Sequence, residues 1–218
     1  IIKVGNPALR PQFTNSIELG YKKSWEKGSL YNAIYHRFAD GTITRISSTV
    51  PPSNLIYATF QNVNKSYNTG IEMVLAQEIS KLYAFNININ AYRNQINAFT
   101  VENKYPTTHT FSADKQEIFS GNIKLNNTFH FPNNIDAQLT AIYLAPDIIP
   151  QGKIKSRFSL DFGLKKAIQK GKGELFLNAT DLLNTKKKKK EINGQGFNYI
   201  SNDYYETQVI RLGYSYKF

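Results

Sequence analysis

From Tyr83 to Phe99 the chain reads YAFNININAYRNQINAF, and its side chains change character at every second position. Tyr83, Phe85, Ile87, Ile89 and Ala91 alternate with Ala84, Asn86, Asn88, Asn90 and Tyr92. A period of two sends successive side chains to opposite faces of a β-strand, whereas a helix would space its apolar residues three and four apart. The pattern recurs over Ser16–Trp25, Ser29–Ala39, Ser66–Ile79, Glu117–Phe131, Ile135–Ala145, Ile154–Ile168, Glu174–Leu183 and Thr207–Phe218. No segment carries a helical period. Strands of soluble sheets commonly run to about five or six residues, and a strand that crosses a bilayer needs about 9–11. Most of these segments are of the second length.

Composition permits a membrane protein without announcing one. Hydrophobic residues make up 41% of the 218 residues, and mean hydropathy is negative. No run of about 18 apolar residues exists, which excludes a transmembrane helix. A bilayer-crossing β-strand turns only half its side chains to lipid, so its average hydropathy looks soluble. The 14 Tyr and 14 Phe suit such a wall. The net charge of +11 favours anionic partners such as lipid phosphate or an acidic ligand. With no Cys there is no disulfide, thiolate metal site or cysteine nucleophile. The chain opens at Ile1 without a signal peptide, which suggests a cut in a longer chain.

The connections alternate in length. Glu26–Gly28, Ser80–Leu82, Pro132–Asn134 and Gln169–Gly173 are short; Asp40–Lys65, Thr100–Gln116, Pro146–Lys153 and Asn184–Glu206 are long. Tight periplasmic turns and long external loops are the mark of an outer-membrane barrel. With long loops outside, Ser16–Trp25 and Thr207–Phe218 both run inward. First and last strands would then be parallel, and about nine strands cannot close into the usual even-numbered antiparallel barrel. TITRISS and YATFQNV, within Asp40–Lys65, also alternate, but a hairpin there leaves the parity odd. The expected fold is all-β: an antiparallel transmembrane β-barrel, present as an incomplete portion of about nine long strands in one unit, residues 1–218.

The chain ends RLGYSYKF, with Tyr214, Tyr216 and Phe218 on one face. Aromatic side chains gather at the headgroup belts of barrel walls, so these three belong at the periplasmic belt. A terminal aromatic on an alternating strand also resembles the C-terminal signal read by the barrel-assembly machinery.

Longer stretches carry a family resemblance. NPALRPQFTNSIELGYKKSW (Asn6–Trp25) resembles the Asn-Pro-x-Leu-x-Pro-Glu segment, closed by Glu-Leu-Gly, of TonB-dependent receptors, with Gln12 in place of Glu. NVNKSYNTGIEMVL (Asn62–Leu75) resembles their recurrent Gly-x-Glu strand, GELFLNATDLLNT (Gly173–Thr185) their penultimate strand, and YETQVIRLGYSYKF their last. The ordered set is most similar to the Bacteroidetes-type outer-membrane barrel group of those receptors. The resemblance implies the C-terminal part of a barrel of about 22 strands, with a plug domain and N-terminal strands upstream. It further implies energy-coupled import of a nutrient (siderophore, cobalamin, glycan or peptide) across the outer membrane of a Gram-negative bacterium. The implied partners are outer-membrane lipid and lipopolysaccharide, the plug of the same protein, TonB, the barrel-assembly machinery and a surface lipoprotein.

Five consecutive lysines, Lys186, Lys187, Lys188, Lys189 and Lys190, fall in the last long loop. They can bind lipopolysaccharide phosphates or an anionic ligand as point charges; as a bland alternative they form a solvated, mobile loop. No nucleic-acid partner is expected, since the run lacks the interleaved aromatics that stack bases. Arg93 continues the lipid-facing series from Tyr83, about ten residues above the periplasmic end, where a lipid phosphate contact is available; a bulge turning it inward is the alternative. His36, His109 and His130 have no metal spacing, and His130 falls on the inner face. Neither a Gly-x-Ser-x-Gly elbow nor a phosphate-cradling loop is present, so no catalytic residue, cofactor or metal is expected. Asp161 and Asp181 read as lumen residues beside Asn86, Asn88, Asn90, Asn122, Lys124 and Asn126. Two readings compete with transport: a barrel for adhesion or anchoring of a surface complex, and a hydrolase whose acid or nucleophile groups converge near the external rim.

Overall fold

A computed structural model describes residues 1–49, 55–104, 107–194 and 196–218. Positions 50–54, 105–106 and 195, in the long connections Asp40–Lys65, Thr100–Gln116 and Asn184–Glu206, lie outside the described residues. The strands in chain order are β1 (Ile2–Val4), β2 (Phe13–Trp25), β3 (Gly28–Asp40), β4 (Ile43–Thr49), β5 (Ile56–Asn62) and β6 (Ser66–Ser80). There follow β7 (Tyr83–Ile96), β8 (Phe99–Asn103), β9 (His109–Ala113), β10 (Gln116–Phe131), β11 (Ile135–Leu144) and β12 (Asp147–Ile149). The last are β13 (Gly152–Ile154), β14 (Arg157–Ile168), β15 (Gly173–Thr180), β16 (Lys188–Gly194), β17 (Phe197–Asp203) and β18 (Val209–Tyr216).

Nine of them form one sheet in the order β18-β15-β14-β11-β10-β7-β6-β3-β2. Each pairs antiparallel with its neighbours, so the sheet is a continuous meander. These nine correspond to the nine segments expected from alternation, with shifted ends. β2 begins earlier, at Phe13, and β14 later, at Arg157. The tight turns lie at one end. In the three-residue turn between β10 and β11, Asn133 (φ 64) and Asn134 (φ 57) adopt the left-handed conformation that asparagine tolerates.

Register decides which residues share a face. One row runs Leu19–Ile34–Ile71–Ala91–Gly121 across five strands, and the next Ile89–Ile123–Tyr143–Phe158. This face is apolar and open: Leu19 is 72% exposed and Leu212 80%. The opposite face carries Glu72–Asn90–Asn122 and Asn88–Lys124, with Asn126 opposite both Asn86 and Thr140. Tyr31 and Tyr35 lie on this polar face. β2, at the edge, is exposed on both faces along all 13 residues.

The long connections are themselves built of strands. The two alternating runs in Asp40–Lys65 form the hairpin β4–β5, to which β1 adds in parallel. Thr100–Gln116 holds the hairpin β8–β9, and the last two long connections combine into the sheet β12-β13-β16-β17. Ile46, Val63, Ile96, Phe99, Phe111 and Ile148 pack into an apolar core at this end, with Ile46 fully buried. Gln151 stitches it together, its amide donating to the Ser47 carbonyl and accepting from the Ser47 N–H, both at 2.7 Å.

Candidate functional site

Two regions concentrate polar groups: the polar face of the large sheet, and the hairpin layer above its long-connection end. On the polar face, alternation places asparagines on adjacent strands and the register brings them level. The Tyr35 hydroxyl donates to Asn90 Oδ1 at 3.0 Å, Asn88 Nδ2 to Glu72 Oε1 at 3.0 Å, and the Thr140 hydroxyl to Asn126 Oδ1 at 3.0 Å. At the upper end, Asp147 accepts from the Tyr92 hydroxyl (2.9 Å) and Asn94 Nδ2 (2.8 Å). At the tight-turn end, His130 Nδ1 lies 2.7 Å from Asp136 Oδ1, and Lys165 reaches both Asp136 (3.7 Å) and Glu174 (3.6 Å). The wall therefore offers neutral amides with cations and carboxylates interspersed, a surface that hydrogen-bonds a polar occupant without a dominant sign.

The apolar face ends in aromatic rings on the tight-turn side. Tyr83 stacks on Phe129 with centroids 5.1 Å apart, and Tyr216 meets Phe218 edge-on at 5.4 Å. Asn127, the polar residue between Leu125 and Phe129 on this face, is satisfied by the Tyr83 hydroxyl (2.8 Å) and by donation to the Leu139 carbonyl (3.3 Å). An apolar outer face, a polar inner face, aromatic rings at one rim and strands of bilayer length are the attributes of an outer-membrane wall. The family model for the outer membrane protein beta-barrel family matches residues 1–216. The chain belongs to the outer membrane protein beta-barrel family. Comparison with curated proteins gives no match.

As an outer membrane protein beta-barrel, the chain resides in the outer membrane of a Gram-negative bacterium. Its tight turns face the periplasm and its hairpin layer the outside. Tyr214 and Tyr216 pair with Leu175 and Gly173 next to the turn after β14, at the periplasmic rim, and Phe218 lies beyond them. The Tyr214 hydroxyl donates to Gln169 Oε1 at 2.7 Å.

Arg93 stands on the outer face. The ladder between β7 and β10 is continuous from Ile96 to Tyr83, so no bulge turns it inward. Its Nη2 contacts Glu117 Oε2 at 2.6 Å, and Lys115 Nζ contacts the same oxygen at 3.1 Å.

The lysine run is not a free loop. Lys188–Lys190 open β16, and Lys190 pairs with Asp203 of β17 at 2.5 Å. The Lys190 ammonium, with the Ser201 hydroxyl, holds the Asp203 carboxyl below the usual carboxylate range. Burial, with the charges of Lys190 and Arg157, lowers the Lys188 ammonium. Lys187 Nζ sits 5.3 Å from the centre of the Tyr204 ring; Lys186 and Lys189 are exposed. Asp161 is an inner-wall residue as expected. Asp181 is not: it follows β15 at φ 48, fully buried in the external layer. It accepts the Thr185 N–H (2.9 Å), the Lys186 N–H (3.1 Å) and the Thr207 hydroxyl (2.6 Å). Burial raises its pKa, but these three hydrogen bonds and the Lys186 charge outweigh it and hold the carboxyl below the ordinary range.

The hairpin layer also encloses what sequence could not foresee. Asn6, Ser48, Tyr57, Gln61 and Asn103 help to line an external cavity of ≈ 370 Å³. Asn103, 1% exposed, accepts from Gln61 Nε2 at 2.6 Å. His109 Nε2 is 2.7 Å from the Ser48 hydroxyl and 3.2 Å from Asn103 Nδ2, while Nδ1 faces the Thr107 carbonyl at 2.8 Å. A carbonyl only accepts, so Nδ1 carries the hydrogen and Nε2 of the neutral ring accepts from Ser48. Among the described residues no three His, Cys, Asp or Glu side chains assemble as a metal site.

Proposed function

We propose that this chain is part of the barrel wall of a TonB-dependent receptor importing a nutrient: a siderophore, cobalamin, glycan or peptide. The observation that carries the reading is the combination of parallel sheet edges with a polar inner face. β2 and β18 both run from the external to the periplasmic end, so they cannot join in the antiparallel ladder that the other strands use. Every backbone N–H and C=O in a bilayer needs a partner, and further strands supply it. A barrel well above nine strands is too wide for its own side chains to fill. Its inner wall of Asn88, Asn90, Asn122 and Lys124 suits a separate plug domain. The sequence resemblance over Asn6–Trp25 and Gly173–Thr185 points to the same receptors. External hairpins capture the ligand, TonB displaces the plug, and no residue of the wall does covalent chemistry.

The test uses the full-length protein in its own outer membrane. Uptake of the candidate ligand is measured with and without TonB. Loss of uptake on deleting TonB, with ligand binding to cells retained, is the expected result. Uptake unchanged without TonB, or a full-length protein with no plug domain, overturns the reading.

A hydrolase is favoured by one observation, the Ser48–His109 contact beside the external cavity. A base that accepts the serine hydroxyl and is itself oriented by a third group is the arrangement of nucleophilic catalysis. A fluorophosphonate probe separates the two. Labelling at Ser48 that His109→Ala abolishes supports hydrolysis; no adduct at Ser48 leaves the pair as a staple between β4 and β9.

A further inference from the structure

The outer face of the wall holds a groove of ≈ 600 Å³ near its external end. Ile17, Leu19, Ile34, Ile71 and Phe119 are its apolar sides, and Ala91 is its low point, a small side chain level with Ile71 on one strand and Gly121 on the other. Phe119, 82% exposed, stands up at one border. At the external end the lining changes to His36, Thr69 and Arg93, with His36 Nδ1 and Thr69 Oγ1 2.7 Å apart. Register puts Thr69 beside both His36 and Arg93, and Arg93 beside Phe119.

Depth fixes what this boundary means. Tyr83 lies at the periplasmic turn and Arg93 ten residues further along the same strand and face. At about 3.3 Å per residue and a tilt of about 40°, that span rises about 25 Å, the height of a barrel's apolar band. Arg93 therefore stands at the external headgroups, and the groove below it opens among the acyl chains of the external leaflet. The charge there is unbalanced. Among the described residues, Arg93 and Lys115 share the carboxylate of Glu117 as their ion-pair partner, which leaves one net positive charge and most of the five Arg93 N–H donors to turn outward.

We propose that this groove is a binding site for the phosphorylated, multiply acylated lipid of the external leaflet, lipid A. One acyl chain lies in the groove over Ala91, and one phosphate bridges Arg93 and Lys115, which Glu117 holds in place. An acyl chain alone fits any lipid; the paired cations at headgroup height select a phosphate. The site depends on the membrane location and not on the transport reading.

The experiment takes the full-length protein in mild detergent and counts retained lipid by native mass spectrometry. The protein is offered mixed vesicles of phosphatidylcholine with lipid A, with dephosphorylated lipid A, or with phosphatidylglycerol. Lipid A is expected to be retained at least tenfold better than the other two. Arg93→Gln with Lys115→Gln removes that preference, Arg93→Lys keeps it, and Ala91→Phe reduces retention of lipid A and of its dephosphorylated form. Heat-modifiable migration on gels reports that each variant is folded. Equal retention of dephosphorylated lipid A or of phosphatidylglycerol by the unaltered protein overturns the proposal without any variant. So does lipid A retention unchanged in the folded Arg93→Gln, Lys115→Gln protein.

Discussion

Asp181 and Thr207, 26 positions apart, meet in the external layer, where the threonine hydroxyl donates to the buried carboxylate at 2.6 Å. The contact closes the long excursion between β15 and β18 at its base. Asp181 also caps the N–H groups of Thr185 and Lys186, so one side chain fixes the point where the chain leaves the membrane and the point where it returns.

Replacing Asp181 by Ala leaves two backbone N–H groups and a hydroxyl without this acceptor. A cost of about 1–3 kcal/mol is expected, seen as faster proteolysis between β15 and β18 with the wall itself intact. Acid acts in the same direction. The folded carboxyl titrates below its unfolded value, so its contribution is complete above the unfolded pKa of about 4. It is lost as pH falls through the folded value. Protease cutting of this segment in the native protein should therefore rise on acidification below about pH 4, and the Asp181→Ala protein should lack that rise.

Ile89 and Asn88 are chain neighbours on opposite faces of the wall. Arginine at Ile89 meets lipid near mid-membrane and should cost about 2–4 kcal/mol. Arginine at Asn88 stands between Glu72 and Lys124 on the polar face and should cost well below the change at Ile89. Urea titration of folding into lipid vesicles, performed on the full-length protein, reads both. Equal costs would reverse or erase the assignment of faces.

Gly121 admits no side chain. A Cβ there would stand 2.5 Å from the Asn90 carbonyl oxygen, part of the neighbouring strand's backbone. Gly121→Val should open the ladder between β7 and β10 and cost about 1–3 kcal/mol, with a lower folded fraction in the same titration. Gly171→Ala serves as the control, since nothing lies within 4 Å of the Cβ position, although its φ of 89° adds backbone strain.

Tyr216 ends β18, and its ring meets that of Phe218 two residues further on. Replacing both residues by Ala should slow assembly into the outer membrane several-fold while changing vesicle-folding stability little. Pulse-chase of the heat-modifiable form measures assembly. Unchanged assembly kinetics would remove these two aromatic residues from any role in assembly.

Alternation determined the wall. Tyr83–Ile89 and Phe119–Phe129 state their two faces in the sequence because each strand has apolar neighbours on one side and Asn or Lys on the other. Loop lengths gave orientation for the same local reason. The β3 strand was less legible: Tyr31 and Tyr35 on one face are as bulky as Leu30, Ile34 and Phe38 on the other. Only the register with Glu72 and Gly70 of β6 turns the tyrosines inward. The external layer was legible only in β4 and β5. Of its other strands, β1, β8, β9, β12 and β13 are three to five residues long, too short for a period, and β16 opens on successive lysines that hide any alternation; its core joins Ile46 to Phe111 and Ile148 across distant segments. The lysine run, the buried Asp181 and the Ser48–His109 pair acquired their partners there. Each depends on contacts between residues far apart in sequence, and a one-dimensional pattern carries no record of which distant groups the meander brings within hydrogen-bond reach.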